Sequence, residues 1–98
     1  MRKVLVVDDE PRIRTVLRGF LQAEGFAVVE AADGTAALTG IRRERPDLVL
    51  LDIMLPGIDG LEVLRQVRTF SDVSVMLLTA RADEVDTSSG WVWARTTT

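Results

Sequence analysis

The chain contains no cysteine and no histidine, and its only lysine is Lys3. Without cysteine there is no disulfide frame, no thiolate nucleophile and no zinc knuckle, which is compatible with a reducing compartment. Without histidine the usual acid–base group is missing, and this chain cannot itself carry a phosphohistidine. Long apolar runs are missing too: Met1-Arg2-Lys3 leads into four apolar residues and then Asp8-Asp9, far short of a signal peptide's apolar segment or a membrane span. The chain is therefore expected to stay in the cytoplasm where it is made and to make no membrane contact. Fifteen acidic residues against twelve basic ones give a formal charge of -3. With no basic stripe interleaved with aromatics, nucleic-acid binding by this chain alone is not expected. The cluster Arg42, Arg43 and Arg45 falls at a predicted helix end, where cations suit the macrodipole better than they suggest a phosphate patch.

What is present is an ordinary globular balance, 47% apolar and 28% charged over 98 residues. That length gives one domain near the lower limit for a self-sufficient core. Three short apolar runs stand out: Val4 to Val7 running into Asp8-Asp9, Leu48 to Leu51 into Asp52, and Val75 to Leu78 into Thr79. Continuous runs rich in Val and Leu suit strands buried on both faces of a parallel sheet. In such sheets ligands bind outside the carboxyl ends of the strands, where these polar residues would lie.

Between the runs the pattern alternates. Residues 3–7 read as a first strand, and Pro11 after two acidic residues opens a helix over 11–24. Its apolar face carries Ile13, Val16, Leu17, Phe20 and Leu21, away from Arg12, Arg14, Arg18 and Gln22, and Gly25 closes it. A second strand over 26–31 is followed by Asp33-Gly34 and a helix to residue 44 that packs through Ala36, Ala37, Leu38 and Ile41. Pro46 then breaks the chain into a third strand, 48–52. The segment Leu55-Pro56-Gly57-Ile58-Asp59-Gly60 is a loop able to bring backbone groups close to a ligand. A helix carrying Leu61, Val63, Leu64 and Val67 ends near residue 70, and a fourth strand covers 73–79. Strand and helix alternate three times before the last strand, which predicts an α/β fold: a doubly wound, open parallel sheet with right-handed crossovers.

Side by side, these strands bring Asp8, Asp9 and Asp52 to one edge. Three carboxylates that close cannot all stay ionised without a counter-charge. A divalent cation resolves this, and hard oxygen ligands with open positions favour Mg²⁺ together with a phosphoryl group. Asp52 is the candidate nucleophile, because a carboxylate can attack phosphorus to give an acyl phosphate. Thr79 could offer its hydroxyl, and Ala80 its backbone N–H, to a phosphate oxygen. Taken alone, Asp8-Asp9 suits a helix cap as well as it suits a metal. Thr79 alone is ordinary in a strand, and Asp59 reads better as a helix-start residue than as a ligand. Asp52 at the end of a buried run needs a partner.

The stretches Val4-Leu5-Val6-Val7-Asp8-Asp9-Glu10, Pro46 to Gly60 and Leu77-Leu78-Thr79-Ala80-Arg81 together resemble the receiver domain of bacterial two-component response regulators, over residues 1–87. That resemblance implies a flavodoxin-like sheet with strand order 2-1-3-4-5. It implies that Asp52 is the phosphoacceptor, Asp9 a direct Mg²⁺ ligand, Asp8 its partner through water, the Met54 carbonyl a further ligand, and Thr79 the switch hydroxyl. The implied phosphodonor is a sensor histidine kinase. The chain would catalyse only its own phosphorylation and dephosphorylation. Two other readings stand beside this one. An aspartyl-phosphate phosphohydrolase needs a second carboxylate two residues after its nucleophile, and the residue at that spacing after Asp52 is Met54. An inert remnant of a receiver would bind nothing.

The sequence departs from the family after residue 87. A fourth helix, a fifth strand ending in a Lys-Pro pair and a fifth helix are not recognisable, and residues 88–98 are expected to be a poorly ordered, non-family tail. The fourth strand would then be an open edge, a route to self-association, unless Trp91 and Trp93 fold back over it. Back-translation of Ser88 to Thr98 with one nucleotide added in front permits Val-Val-Gly-Leu-Gly-Val-Gly-Ala-Asp-Asp-Tyr, a segment of the family type. A single-base slip after Thr87 is therefore the hypothesis for the tail.

Overall fold

The computed structural model describes residues 2–53, 55, 57–80 and 91–96. In chain order the elements are β1 (Lys3–Val7), α1 (Pro11–Ala23), β2 (Ala27–Ala31), α2 (Gly34–Glu44), β3 (Leu48–Asp52), α3 (Gly60–Val67), β4 (Ser74–Ala80) and β5 (Trp91–Thr96). They form one sheet in the order β2-β1-β3-β4-β5. The first four strands are parallel, in the register Val7↔Ala31, Val7↔Leu51 and Leu51↔Leu77.

Alternation along the central strands explains their unbroken apolar sequence. Leu5 and Val7, Val49 and Leu51, and Val75 and Leu77 face one side, where Ala37 and Ile41 of α2 and Val63 and Val67 of α3 complete a buried cluster. Val4, Val6, Leu50 and Leu78 face the other side, with Leu17 and Leu21 of α1 against them. Both faces of the central strands β1 and β3 are buried, as in a parallel sheet covered on two sides.

Local chemistry sets the helix ends. Pro11 occupies the first turn of α1, and Gly25, at φ +93°, takes the left-handed geometry that ends it. Asp33 caps α2 by accepting from the Ala36 N–H at 2.8 Å, and Asp59 caps α3 by accepting from the Glu62 N–H at 2.9 Å. Asp59 is thus the helix-start residue the sequence indicated. Arg42 and Arg43 lie in the last turn of α2, and the Arg42 guanidinium stacks 4.3 Å from the Phe70 ring centre.

Three sequence expectations need correction. The sheet covers less of α1 than its apolar pattern suggested: no α1 residue is fully buried, and Val16 and Phe20 stand 59% and 72% exposed. Ala36 of α2, expected to pack, is also exposed. The fourth strand is not an open edge, although the parallel part of the sheet has four strands among the described residues, because Trp91–Thr96 of the tail pairs along β4 from Val75↔Thr96 to Ala80↔Trp91. This strand is antiparallel. Residues 81–90 between the two strands are fewer than the dozen or so a parallel crossover takes, whereas an antiparallel return fits, and it satisfies the β4 edge. The boundary expected at 87/88 lies outside the described residues.

Candidate metal centre

The register of β1 and β3 builds the site. Val7 and Leu51 are direct partners, so the next residues, Asp8 and Asp52, emerge side by side at the carboxyl ends of two central strands. Asp9 follows on the β1 side. One oxygen from each of Asp8, Asp9 and Asp52 lies within 4.8 Å of the other two. Asp8 is buried at 2% exposure, Asp52 is half-buried and Asp9 is exposed. The cluster is therefore graded from a dry floor to a wet rim.

Each group is held by its surroundings. The Asp8 N–H donates to the Ala31 carbonyl at 3.1 Å, and its Oδ1 accepts from the Glu10 N–H at 2.8 Å. Arg14 donates from Nη1 to the Asp8 carbonyl at 2.6 Å. Capping of α1 falls to Glu10, whose Oε1 lies 3.5 Å from the Arg12 nitrogen. Capping therefore does not account for Asp8 and Asp9, and their carboxylates converge on Asp52.

Burial is the largest influence on the Asp8 carboxyl and raises its pKa from 3.8 to about 6. The Glu10 N–H opposes this, while the negative charges of Asp52 and Asp9 add to it and Arg14 works against it. A divalent cation at this point would offset the repulsion and the desolvation together. All three donors are carboxylates, the hard oxygen ligands Mg²⁺ takes, and the exposed Asp9 side leaves room for water or substrate oxygens. The residues present fit such an ion.

Asp52 pairs with Leu78 across β3 and β4, so Thr79 is one residue beyond that partner and Ala80 two, at the same end of the sheet. Their backbones also pair with Val92 and Trp91 of β5. The Met54 carbonyl lies outside the described residues. Lys3 is at the opposite end of β1, where its Nζ binds the Glu44 carboxylate at 3.0 Å.

Sequence reasoning missed two supports. Gly60 begins α3 directly against the Asp52–Ile53 backbone, with its N–H donating to the Ile53 carbonyl at 2.9 Å; a Cβ there would lie 2.6 Å from the Ile53 Cα. The Asp59-Gly60 pair at a predicted helix start was the available signal. Arg14, expected to lie away from the apolar face of α1, stands three and seven residues before Leu17 and Leu21 on the same side of the helix; its side chain is only 17% exposed and bridges the Asp8 carbonyl and Glu30. No local pattern announces a contact with a strand that follows the helix.

Comparison with known proteins gives a consistent result. The response regulator receiver domain family matches residues 4–92. The DNA-binding response regulator MtrA of Mycolicibacterium smegmatis is 47% identical over 89 residues, covering 91% of this chain and 39% of MtrA. The transcriptional regulatory protein AfsQ1 of Streptomyces coelicolor is 44% identical over 90 residues, covering 92% of this chain and 40% of AfsQ1. The chain thus spans about two fifths of the length of the curated relatives it matches. Among solved structures, the response regulator TrrA of Thermotoga maritima, in complex with Mg²⁺-BeF, superposes with a TM-score of 0.78 at 45% identity, covering 86% of this chain and 77% of TrrA.

Proposed function

Because the chain belongs to the response regulator receiver domain family, we propose that it is the phosphoacceptor of a two-component system, with Asp52 taking the phosphoryl group and a sensor histidine kinase donating it. The observation that carries this reading is the convergence of Asp8, Asp9 and Asp52 within 4.8 Å at the carboxyl ends of adjacent strands. The donor must be external, since this chain has no histidine.

In the proposed reaction an Asp52 carboxylate oxygen forms a bond to phosphorus as the donor's P–N bond breaks, and the departing imidazole nitrogen takes a proton. Asp8, Asp9, Asp52 and the Met54 carbonyl would hold Mg²⁺, as the Mg²⁺-BeF complex of TrrA supports. When bound, the ion would neutralise charge on the entering and transferred oxygens. Thr79 and the Ala80 N–H, one and two residues past the partner of Asp52, would receive phosphoryl oxygens. Arg14 and Glu10 orient Asp8, and Gly60 fixes the backbone just after Asp52.

The same aspartyl phosphate is lost by attack of water on phosphorus, so the chain would turn over only its own modification. No helix among the described residues is long and apolar enough to cross a membrane, and the proposed phosphotransfer is a cytoplasmic event. MtrA and AfsQ1 are described as DNA-binding and transcriptional regulators and are more than twice as long as the part matched here; DNA contact is not assigned to these 98 residues.

Incubation with Mg²⁺ and acetyl phosphate, followed by peptide mass spectrometry, tests the reading. A single phosphate on Asp52, absent when Mg²⁺ is chelated, is expected. A folded chain that acquires none is an inert remnant, and steady phosphate release from unrelated esters would indicate a phosphohydrolase.

A further inference from the structure

Glu30 is not one of the carboxylates that converge at the metal centre, yet the bonds it makes lead to Asp8. We propose that Glu30 is a remote positioning residue that sets the divalent-cation affinity of the site through Arg14, without touching the ion or a ligand oxygen. The proposal rests on the reading of Asp8, Asp9 and Asp52 as a Mg²⁺ centre.

The row of β2 that faces α1 carries Val28, packed in the apolar layer, and two residues later Glu30, level with Val6 of β1. A carboxylate so placed must be met by donors. Arg14 and Arg18, one turn apart on α1, take one oxygen each: Arg14 Nε donates to Oε1 at 3.1 Å and Arg18 Nη1 to Oε2 at 2.6 Å. The side chains of Glu30 and Arg14 are only 26% and 17% exposed, so salt screens this pair weakly.

Stapling α1 to β2 would need nothing more. Arg14 makes a second bond, from Nη1 to the Asp8 carbonyl at 2.6 Å. The Asp8 N–H donates in turn to the carbonyl of Ala31, the residue after Glu30. Both backbone groups of Asp8 are thus tied to the end of β2, one directly and the other through Arg14. A ligand whose backbone is fixed in this way need not be ordered when the cation arrives.

Charge acts in the same direction. The Arg14 charge reaches the Asp8 carboxyl and works against the effect of its burial, and a positive charge so near also opposes a second cation. Glu30 balances it. Removing Glu30 therefore loosens Arg14 and leaves its charge uncompensated beside the site, and each effect lowers affinity.

Mn²⁺, whose free electron paramagnetic resonance signal is lost on binding, tests this in titrations of the full chain, with Mg²⁺ as competitor. The wild-type chain should bind Mn²⁺ that excess Mg²⁺ displaces. Glu30→Ala should raise the Mn²⁺ dissociation constant by about tenfold, the lower end of what the outer partners of metal ligands contribute. Glu30→Gln keeps an acceptor for Arg14 but not the charge, and should fall between the two. Glu44→Gln, which cuts the Lys3–Glu44 pair at the opposite end of β1, should lower the melting temperature and leave Mn²⁺ affinity unchanged. Thermal melts establish that each variant folds; should Glu30→Ala fail to, Glu30→Gln decides. A wild-type chain that takes up no Mn²⁺ overturns the metal-centre reading and this proposal with it. A wild-type chain that binds Mn²⁺ no better than its Glu30 variants, or a Glu44→Gln chain weakened as much as they are, overturns this proposal alone and leaves Glu30 as a staple between α1 and β2.

Discussion

Gly60 lies against the peptide that joins Asp52 to Ile53, closely enough that a Cβ at position 60 would stand 2.6 Å from the Ile53 Cα and nearer still to the Asp52 carbonyl oxygen. Backbone, not a flexible side chain, is what a methyl group would strike. The start of α3 and the end of β3 therefore move as one piece, and the proposed nucleophile is held from behind. Gly60→Ala is expected to destabilise the fold by about 1–3 kcal/mol, the usual cost of overpacking. It should also slow acetyl phosphate labelling of Asp52. Thermal melts and labelling rates check both, whereas Gly19→Ala, with open space around it, should leave both unchanged or slightly raise the melting temperature.

The raised pKa of Asp8 fixes a pH dependence. Between 3.8 and about 6 the folded chain holds a proton that the unfolded chain has released, so stability falls as pH rises through that window. A shift of this size corresponds to about 3 kcal/mol lost at neutral pH when no cation is bound. Without divalent cations the melting temperature should be higher near pH 5 than near pH 7, and Asp8→Asn should remove most of that difference. Mg²⁺ should raise the wild-type melting temperature at pH 7 and do little at pH 5, where Asp8 is protonated. A calorimetric scan with and without Mg²⁺ at the two pH values separates these outcomes.

Loss of individual carboxylates should divide binding from chemistry. Asp52→Asn is expected to abolish the phosphate adduct while keeping Asp8 and Asp9 as ligands, so that weakened Mg²⁺ stabilisation persists. Asp9→Asn keeps the nucleophile but removes a rim ligand, and should lower Mg²⁺ affinity by about tenfold to a hundredfold. Titration of the melting temperature with Mg²⁺, beside mass spectrometry of the adduct, measures each part.

Much of this arrangement was legible in the sequence because its strongest signals are local. Val4–Val7 and Leu48–Leu51 are apolar at every position because alternate residues face two helical layers, and an Asp closing such a run places a charge at the strand end, where it needs a cation or a donor. Helix caps at Asp33 and Asp59 follow from side-chain geometry within one turn. What escaped depends on distant partners. The apolar stripe of α1 is wider than the sheet can cover, and nothing in its periodicity separates Leu17, which packs, from Phe20, which does not. Arg14 looks like a surface residue until β2 brings Glu30 beside it. The direction of β5 depended on the length of the connection rather than on the residues of the strand.

Arg14 also makes a prediction. Its guanidinium bonds the Asp8 carbonyl at 2.6 Å and Glu30 at 3.1 Å, while Arg18 holds the other Glu30 oxygen at 2.6 Å. Arg14→Ala leaves a partly buried carbonyl without its donor and should cost about 1–3 kcal/mol. Arg14→Lys keeps the charge but cannot span both acceptors with one planar fork, and should fall between wild type and alanine. Chemical denaturation of the three proteins orders them.

The β4–β5 pairing sets the last expectation. β4 contributes Val75, Leu77 and Leu78 to the core, and its outer backbone groups are met by Trp91–Thr96. Removing residues 88–98 would leave those N–H and C=O groups as a flat apolar edge able to pair with another chain. A chain ending at Thr87 is therefore expected to melt at least about 5 °C lower and to aggregate at concentrations where the full chain does not, as followed by light scattering. Hydrogen exchange gives an independent reading on the intact chain: amides of β4 directed toward β5 should be protected, and should lose that protection when Trp91–Thr96 is removed, while the amides of β1 between β2 and β3 keep theirs. If the β4 amides exchange freely in the full-length chain, the tail does not close the sheet, and the edge opened by the proposed slip after Thr87 is still exposed.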